Sequence, residues 1–187
     1  MKKTFLYILF FTITLSGFSQ KNSSLLKDTI IWSSDYELSK EDFKGKVKKG
    51  YAGMASTYIY LYTQENNGEI QFVVEALMSR AKSALSTDSE YMLRHEKGHF
   101  DICEIYARKL RQRILKKDFM KVKNINAVIS DMYRQIVEEL RDAQEKYDKQ
   151  TEHSMNMVQQ KVWDEKIIIQ LRELDDYAST IVDVVNK

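Results

Sequence analysis

Two of the three histidines in this 187-residue chain, His95 and His99, stand four positions apart with Glu96 directly after the first. His95-Glu96-Lys97-Gly98-His99 is the His-Glu-x-x-His pattern. On a helix advancing about 100° per residue, His99 comes ~40° round from His95 and Glu96 about 100° round on the same side. Two imidazoles so placed can grip one zinc ion, while the carboxylate points beside it at a metal-bound water. Zinc brings the pKa of that water towards ~7, and Glu96 takes its proton as it attacks a carbonyl. Glu96 is the base and not a ligand.

A catalytic zinc usually takes three protein ligands and keeps one position open. The third ligand does not follow at the short spacing of the long metzincin pattern, because positions 102 and 105 are both isoleucine. His153 is the last histidine, at or just beyond the end of the second helix predicted below, which can return it to the metal helix by running antiparallel. It is favoured over a carboxylate such as Asp148, Glu152, Glu138 or Glu139, the ligand type that thermolysin-like enzymes draw from a downstream helix. Tyr147 is a candidate for stabilising the oxyanion, as a phenol can, although it also completes an apolar helical stripe. Cys103, ~80° round from His95, reads better as a small buried residue than as a ligand. A competing function comes from the same residues. A fourth protein ligand, Asp148 or Cys103, would close the site and leave a secreted helical binding module with a structural or catalytically inactive zinc.

The elements that must position these groups follow from composition and pattern. The chain has no proline and only 6 glycines, so few breakers interrupt long helices. Thr29 to Trp32 is a short strand candidate, and Ser39 to Asp42 opens a single helical turn. Two runs rich in Tyr, Ile, Val and Thr, Met54 to Thr63 and Glu69 to Met78, flank Glu65-Asn66-Asn67-Gly68. Asn-Gly between such runs predicts an antiparallel hairpin. Thr87-Asp88-Ser89-Glu90 has the capping-box pattern and predicts a helix from about Asp88 to Lys117. Gly98 inside it costs about 1 kcal/mol relative to alanine, so the position calls for close approach by a strand, a substrate or another helix. A second helix carries Ile129, Met132, Tyr133, Ile136, Val137, Leu140 and Tyr147 on one stripe. A third runs from about Met157 to Tyr177 with Trp163, Ile167, Leu171 and Leu174 inward. The class is α+β, a small antiparallel sheet followed by three long helices.

Residues 1–19 have the form of a signal peptide: Lys2 and Lys3, an apolar run from Phe5 to Leu15, then Gly17 and Ser19. The run is too short to span a ~30 Å hydrocarbon core. Residues 20–187 then form one domain, exported to the periplasm or medium, with no stable membrane span after cleavage. The whole chain has 29 Lys+Arg and 27 Asp+Glu; without the two leader lysines it is formally neutral, so no nucleic-acid partner is implied. The basic run Arg108, Lys109, Arg111, Arg113, Lys116, Lys117, Lys121 and Lys123 reads as a solvated face complementing a helix C-terminus. One cysteine excludes an internal disulfide framework.

At His95-Glu96-Lys97-Gly98-His99-Phe100-Asp101-Ile102 the sequence resembles a bacterial family of predicted secreted zinc-dependent proteases, long filed as a domain of unknown function. The resemblance takes in Trp32, Leu38, Asp42-Phe43-Lys44-Gly45, and Tyr147-Asp148 with Thr151 and His153. Ser154 departs from it, standing where glycine is expected after the histidine. The resemblance implies a zincin-like metallopeptidase domain acting on a peptide or protein substrate. It also implies His95 and His99 as zinc ligands, Glu96 as base and support for His153. A peptide held against the free edge of the predicted hairpin would lie across the zinc helix.

Overall fold

The computed structural model describes residues 28–47, 52–66, 69–87 and 89–183. The leader and the Asn67-Gly68 pair therefore lie outside the described residues. The alternating runs form the strands β3 (Thr57–Asn66) and β4 (Glu69–Ser79). Their ladder runs from Thr57 opposite Met78 to Asn66 opposite Glu69, which leaves two residues for the connection, as the Asn-Gly signal predicts. β4 is the centre of the sheet. β3 covers one side of it, while β1 (Thr29–Ile31) and β6 (Ile181–Asp183) share the other. A separate two-stranded piece pairs β2 (Gly53–Met54) with β5 (Ala84–Leu85). Lys40–Asp42 forms the expected single helical turn.

Three helices follow: α1 (Glu90–Lys116), α2 (Ile125–Thr151) and α3 (Met157–Glu173). α1 opens with Ser89 as its N-cap, whose side chain makes no capping bond; Asp88 of the predicted box lies outside the described residues. α2 and α3 are capped by Asn124 and Asn156, which accept from the N–H groups of Ala127 and Gln159. The third helix stops four residues before Tyr177. A short 3-10 turn (Asp175–Tyr177) then leads into β6, a strand beyond the helical pattern of the sequence.

α1 is the central helix. Phe100, Ile102, Cys103, Ile105, Ala107, Leu110 and Ile114 are buried with Ile59, Val74, Ala76 and Met78 of the sheet and with Ile129, Ile136, Tyr147, Trp163 and Ile167 of the other helices. A helix covered on several sides buries residues all round its surface rather than along one narrow stripe. α2 runs antiparallel to it: Asp148 lies beside His95, Gln144 beside the His99 carbonyl and Glu139 beside Arg113.

The basic run on α1 is not a uniformly solvated face. Arg111 is 0% and Arg108 5% exposed. Arg111 lies where β1 and β6 leave a gap beside β4. It donates to the Val74 carbonyl at 2.8 and 3.0 Å, to the Tyr177 carbonyl at 3.0 Å and to Glu104 at 2.8 Å. Arg108 shares Glu104 and donates to the Leu171 carbonyl. These two guanidiniums satisfy backbone acceptors that no strand reaches, which a spacing argument about helix ends cannot see. Arg111→Met would leave those carbonyls unpaired and Glu104 with one cation fewer. Its expected cost is ~3–5 kcal/mol, read as a lower urea midpoint at unchanged slope.

Candidate metal centre

α1 presents His95 and His99 towards α2 and Glu96 towards the β2 segment, all three buried. The two imidazole rings are perpendicular, with centroids 5.0 Å apart. From α2, Asp148 brings Oδ1 to 3.2 Å from His95 Nε2 and 2.9 Å from His99 Nε2. One ligand atom from each of the three residues lies within 4.8 Å of the others. Donor atoms around a tetrahedral metal with bonds of ~2.0–2.1 Å stand about 3.3 Å apart, so these spacings suit a first-row divalent ion.

The proton positions support the same conclusion. The Gln160 side chain on α3 donates from Nε2 to the Tyr147 hydroxyl (2.7 Å) and to Asp164 Oδ1 (2.8 Å). Its Oε1 therefore faces His95 Nδ1 at 3.0 Å. An amide oxygen only accepts, so Nδ1 carries a proton and Nε2, 3.2 Å from Asp148 Oδ1, is the ring atom that faces the carboxylate. His95 Nε2, His99 Nε2 and Asp148 Oδ1 thus converge on one point, a donor set that a divalent cation could take in place of these hydrogen bonds. His95, His99 and Asp148 together form a group that could hold a metal ion.

Charge follows the same geometry. Burial works against the Asp148 carboxylate, but bonds from both imidazoles hold it well below the usual range. Burial likewise opposes protonation of His99, and Asp148 overrides it to raise that ring's pKa. Glu96 is pushed up by burial, against the pull of His99, His95 and the Ala55 N–H. That N–H donates to Glu96 Oε2 at 2.6 Å. Gly53 completes the seat, since a Cβ there would come 2.5 Å from Glu96 Oε1. The short strand β2 and the residue after it therefore hold the carboxylate beside the ligands.

Two sequence expectations are corrected. His153 does not join His95 and His99: its side chain is 74% exposed, and its Nδ1 lies 3.6 Å from Asp148 Oδ2. α2 ends at Thr151, and Glu152, His153 and Ser154 all take positive φ, so the chain turns away before His153 can face α1. Tyr147 offers no hydroxyl to an oxyanion. It is 0% exposed, donates to the His95 carbonyl at 3.0 Å and accepts from Gln160. Its ring stacks on His95 with centroids 4.7 Å apart and forms a wall of the cluster.

The other candidates have different partners. Glu139 pairs with Arg113, Glu152 accepts from Asn156, and Glu138 is exposed. Cys103 is fully buried in the core, where burial pushes its thiol well above the usual range. Gly98 admits a helix: a Cβ on it would overlap the Tyr147 hydroxyl and come 2.8 Å from its ring carbon Cζ. Gly98→Ala is accordingly expected to destabilise by about 1–3 kcal/mol through overpacking, despite the ~1 kcal/mol gain in helix propensity. Denaturant unfolding of the metal-free protein checks the sign.

A family model for bacterial proteins of unknown function (DUF922) matches residues 39–154, more than half of the chain. No curated protein and no solved structure matches. The matched segment begins just before the turn at Lys40–Asp42, carries His95, Glu96, His99 and Asp148, and ends at Ser154, before α3. With its metal-capable cluster wholly inside that segment, the chain belongs to this family of bacterial proteins of unknown function.

Proposed function

We propose that this protein is an exported zinc-dependent peptidase in which Glu96 is the general base. The observation that carries this reading is the convergence of His95, His99 and Asp148 on one point, with the Glu96 carboxylate seated beside them. His95, His99 and Asp148 would hold the metal, which supplies Lewis acidity to a substrate carbonyl and acidifies water when bound. Two histidines and a carboxylate also serve non-haem iron; the adjacent base, aimed by the Ala55 N–H, favours hydrolysis.

The chain's own groups then divide the work. Glu96 accepts the proton of the attacking water and passes it to the leaving amine. Its raised pKa, caused by burial, brings it closer to the range where a carboxyl can do both. Tyr147 excludes water from the inner side of His95. Backbone pairing of a substrate with β3 is closed at Ile59, whose carbonyl accepts the Tyr133 hydroxyl at 2.9 Å, so a bound strand has to engage the edge elsewhere. The leader-like residues 1–19 support export, and no helix among the described residues is long and apolar enough to cross a membrane.

The test is hydrolysis of unfolded protein and peptide mixtures by the mature chain loaded with zinc, with a chelator control and Glu96→Gln beside it. Cleavage that needs both zinc and Glu96 supports the peptidase. Stoichiometric zinc without cleavage of any peptide supports the binding module with a structural metal.

A further inference from the structure

The family segment stops at Ser154, yet the arrangement that prepares His95 for a metal lies beyond it. Gln160, at the fourth position of α3, is 0% exposed and occupies a stripe position shared with Trp163 and Ile167. A buried amide among apolar neighbours carries a desolvation cost that its hydrogen bonds must offset. Three of its four hydrogen-bonding positions are directed: Nε2 to Tyr147 and Asp164, Oε1 to His95 Nδ1. Asp164 accepts only, so it fixes which end of the amide faces His95. Arg94, the residue before His95 on α1, pairs in turn with Asp164. α3 is also tied to α2 by the Trp163 indole N–H, which donates to Gln150 at 2.9 Å.

We propose that Gln160 is a positioning residue for the metal centre, and that α3, outside the family segment, is therefore part of the site. Gln160 selects the His95 tautomer with the proton on Nδ1 and leaves Nε2 bare towards His99 and Asp148. Without that acceptor the neutral ring moves its proton to Nε2 and donates to Asp148, closing the ligand set on itself. Arg94 and Asp164 hold the amide in the orientation that prevents this. The proposal rests on the metal-site reading for its functional meaning, but the tautomer is a property of the metal-free chain.

Gln160→Leu keeps the volume and removes the acceptor. In the metal-free mature chain at alkaline pH, nitrogen-15 spectra of the imidazoles are expected to show His95 protonated at Nδ1 in the parent and at Nε2 in the variant. Zinc titration of the same samples is expected to show about 10- to 100-fold weaker binding, the usual cost of losing an outer partner of a ligating histidine. The exchange Gln160→Glu with Asp164→Asn reverses the polarity of the pair but restores an acceptor at Nδ1, so it should recover both the tautomer and the affinity.

A Leu variant with the parental tautomer and zinc affinity overturns the proposal, as does a folded double exchange that recovers neither. If the parent binds no zinc at all, the metal-site reading fails instead, and the tautomer comparison alone still decides the role of Gln160.

Discussion

Glu96→Gln is expected to lower the hydrolytic rate by about 10²–10⁴-fold, the usual share of a positioned general base, with zinc affinity unchanged. The separation of the two effects follows from the geometry. Glu96 is not among the three residues whose ligand atoms converge, and its Oε2 is taken by the Ala55 N–H. Glutamine has the same shape and can offer its Oε1 to that N–H, so the seat against Gly53 is kept. What it lacks is an oxygen able to take a proton. Initial rates on one cleaved peptide, with zinc titration of the same preparation, test both halves. Full activity in the variant would remove Glu96 from the mechanism. Lost zinc binding would instead make it a ligand, contrary to its place in the structure.

Asp148 and His153 give the second large contrast. Asp148→Ala removes one of three converging ligand atoms and leaves two buried imidazoles facing a gap. Its cost in zinc affinity should exceed the ~10- to 100-fold typical of an outer partner. His153→Ala removes an exposed ring that touches the cluster only at 3.6 Å from the far oxygen of Asp148, and zinc affinity is expected to hold. Cobalt substitution makes the comparison visible, because its absorption bands report the donor set. The reverse ranking, with His153 essential and Asp148 dispensable, would mean that the turn at Glu152–Ser154 rearranges around the metal.

Helical phase explains why the sequence pointed to the wrong one of these two. Leu140, Tyr147 and Thr151 define the buried side of α2. Counting about 100° per residue from Tyr147, Asp148 falls ~60° beyond Thr151, at the rim of that side. His153 falls ~120° away on the opposite flank even if the helix continued. Residue type favours histidine as a third ligand, whereas helical phase favours the aspartate. The His95-Glu96-His99 group, the hairpin register and the long helices were legible because each is local, carried by a period or a turn.

What was not legible depends on contacts between distant parts of the chain. Gln160 announced itself only as a polar residue in phase with Trp163 and Ile167, a signal that needs the third dimension to acquire a partner. Arg108 and Arg111 looked like surface because cations near a helix end usually are. Only the sheet gap beside β4 reveals what they satisfy. β6 had a signal, the β-branched cluster Thr180-Ile181-Val182, but it was masked by extending α3 through Tyr177.

β6 also sets the order in which the molecule can be completed. Asp183 pairs with Gln71, 112 residues earlier, and the Tyr177 carbonyl that Arg111 needs comes just before it. Residues 95–160 contain His95, Glu96, His99, Asp148 and Gln160, whereas one side of β4 at Gln71 to Val73 is covered only by β6. Closing so long a loop is slow compared with forming a helix. Completion of the β4 edge thus rests on a pairing across 112 residues, which brings the Tyr177 carbonyl to Arg111 from the far end of the described chain.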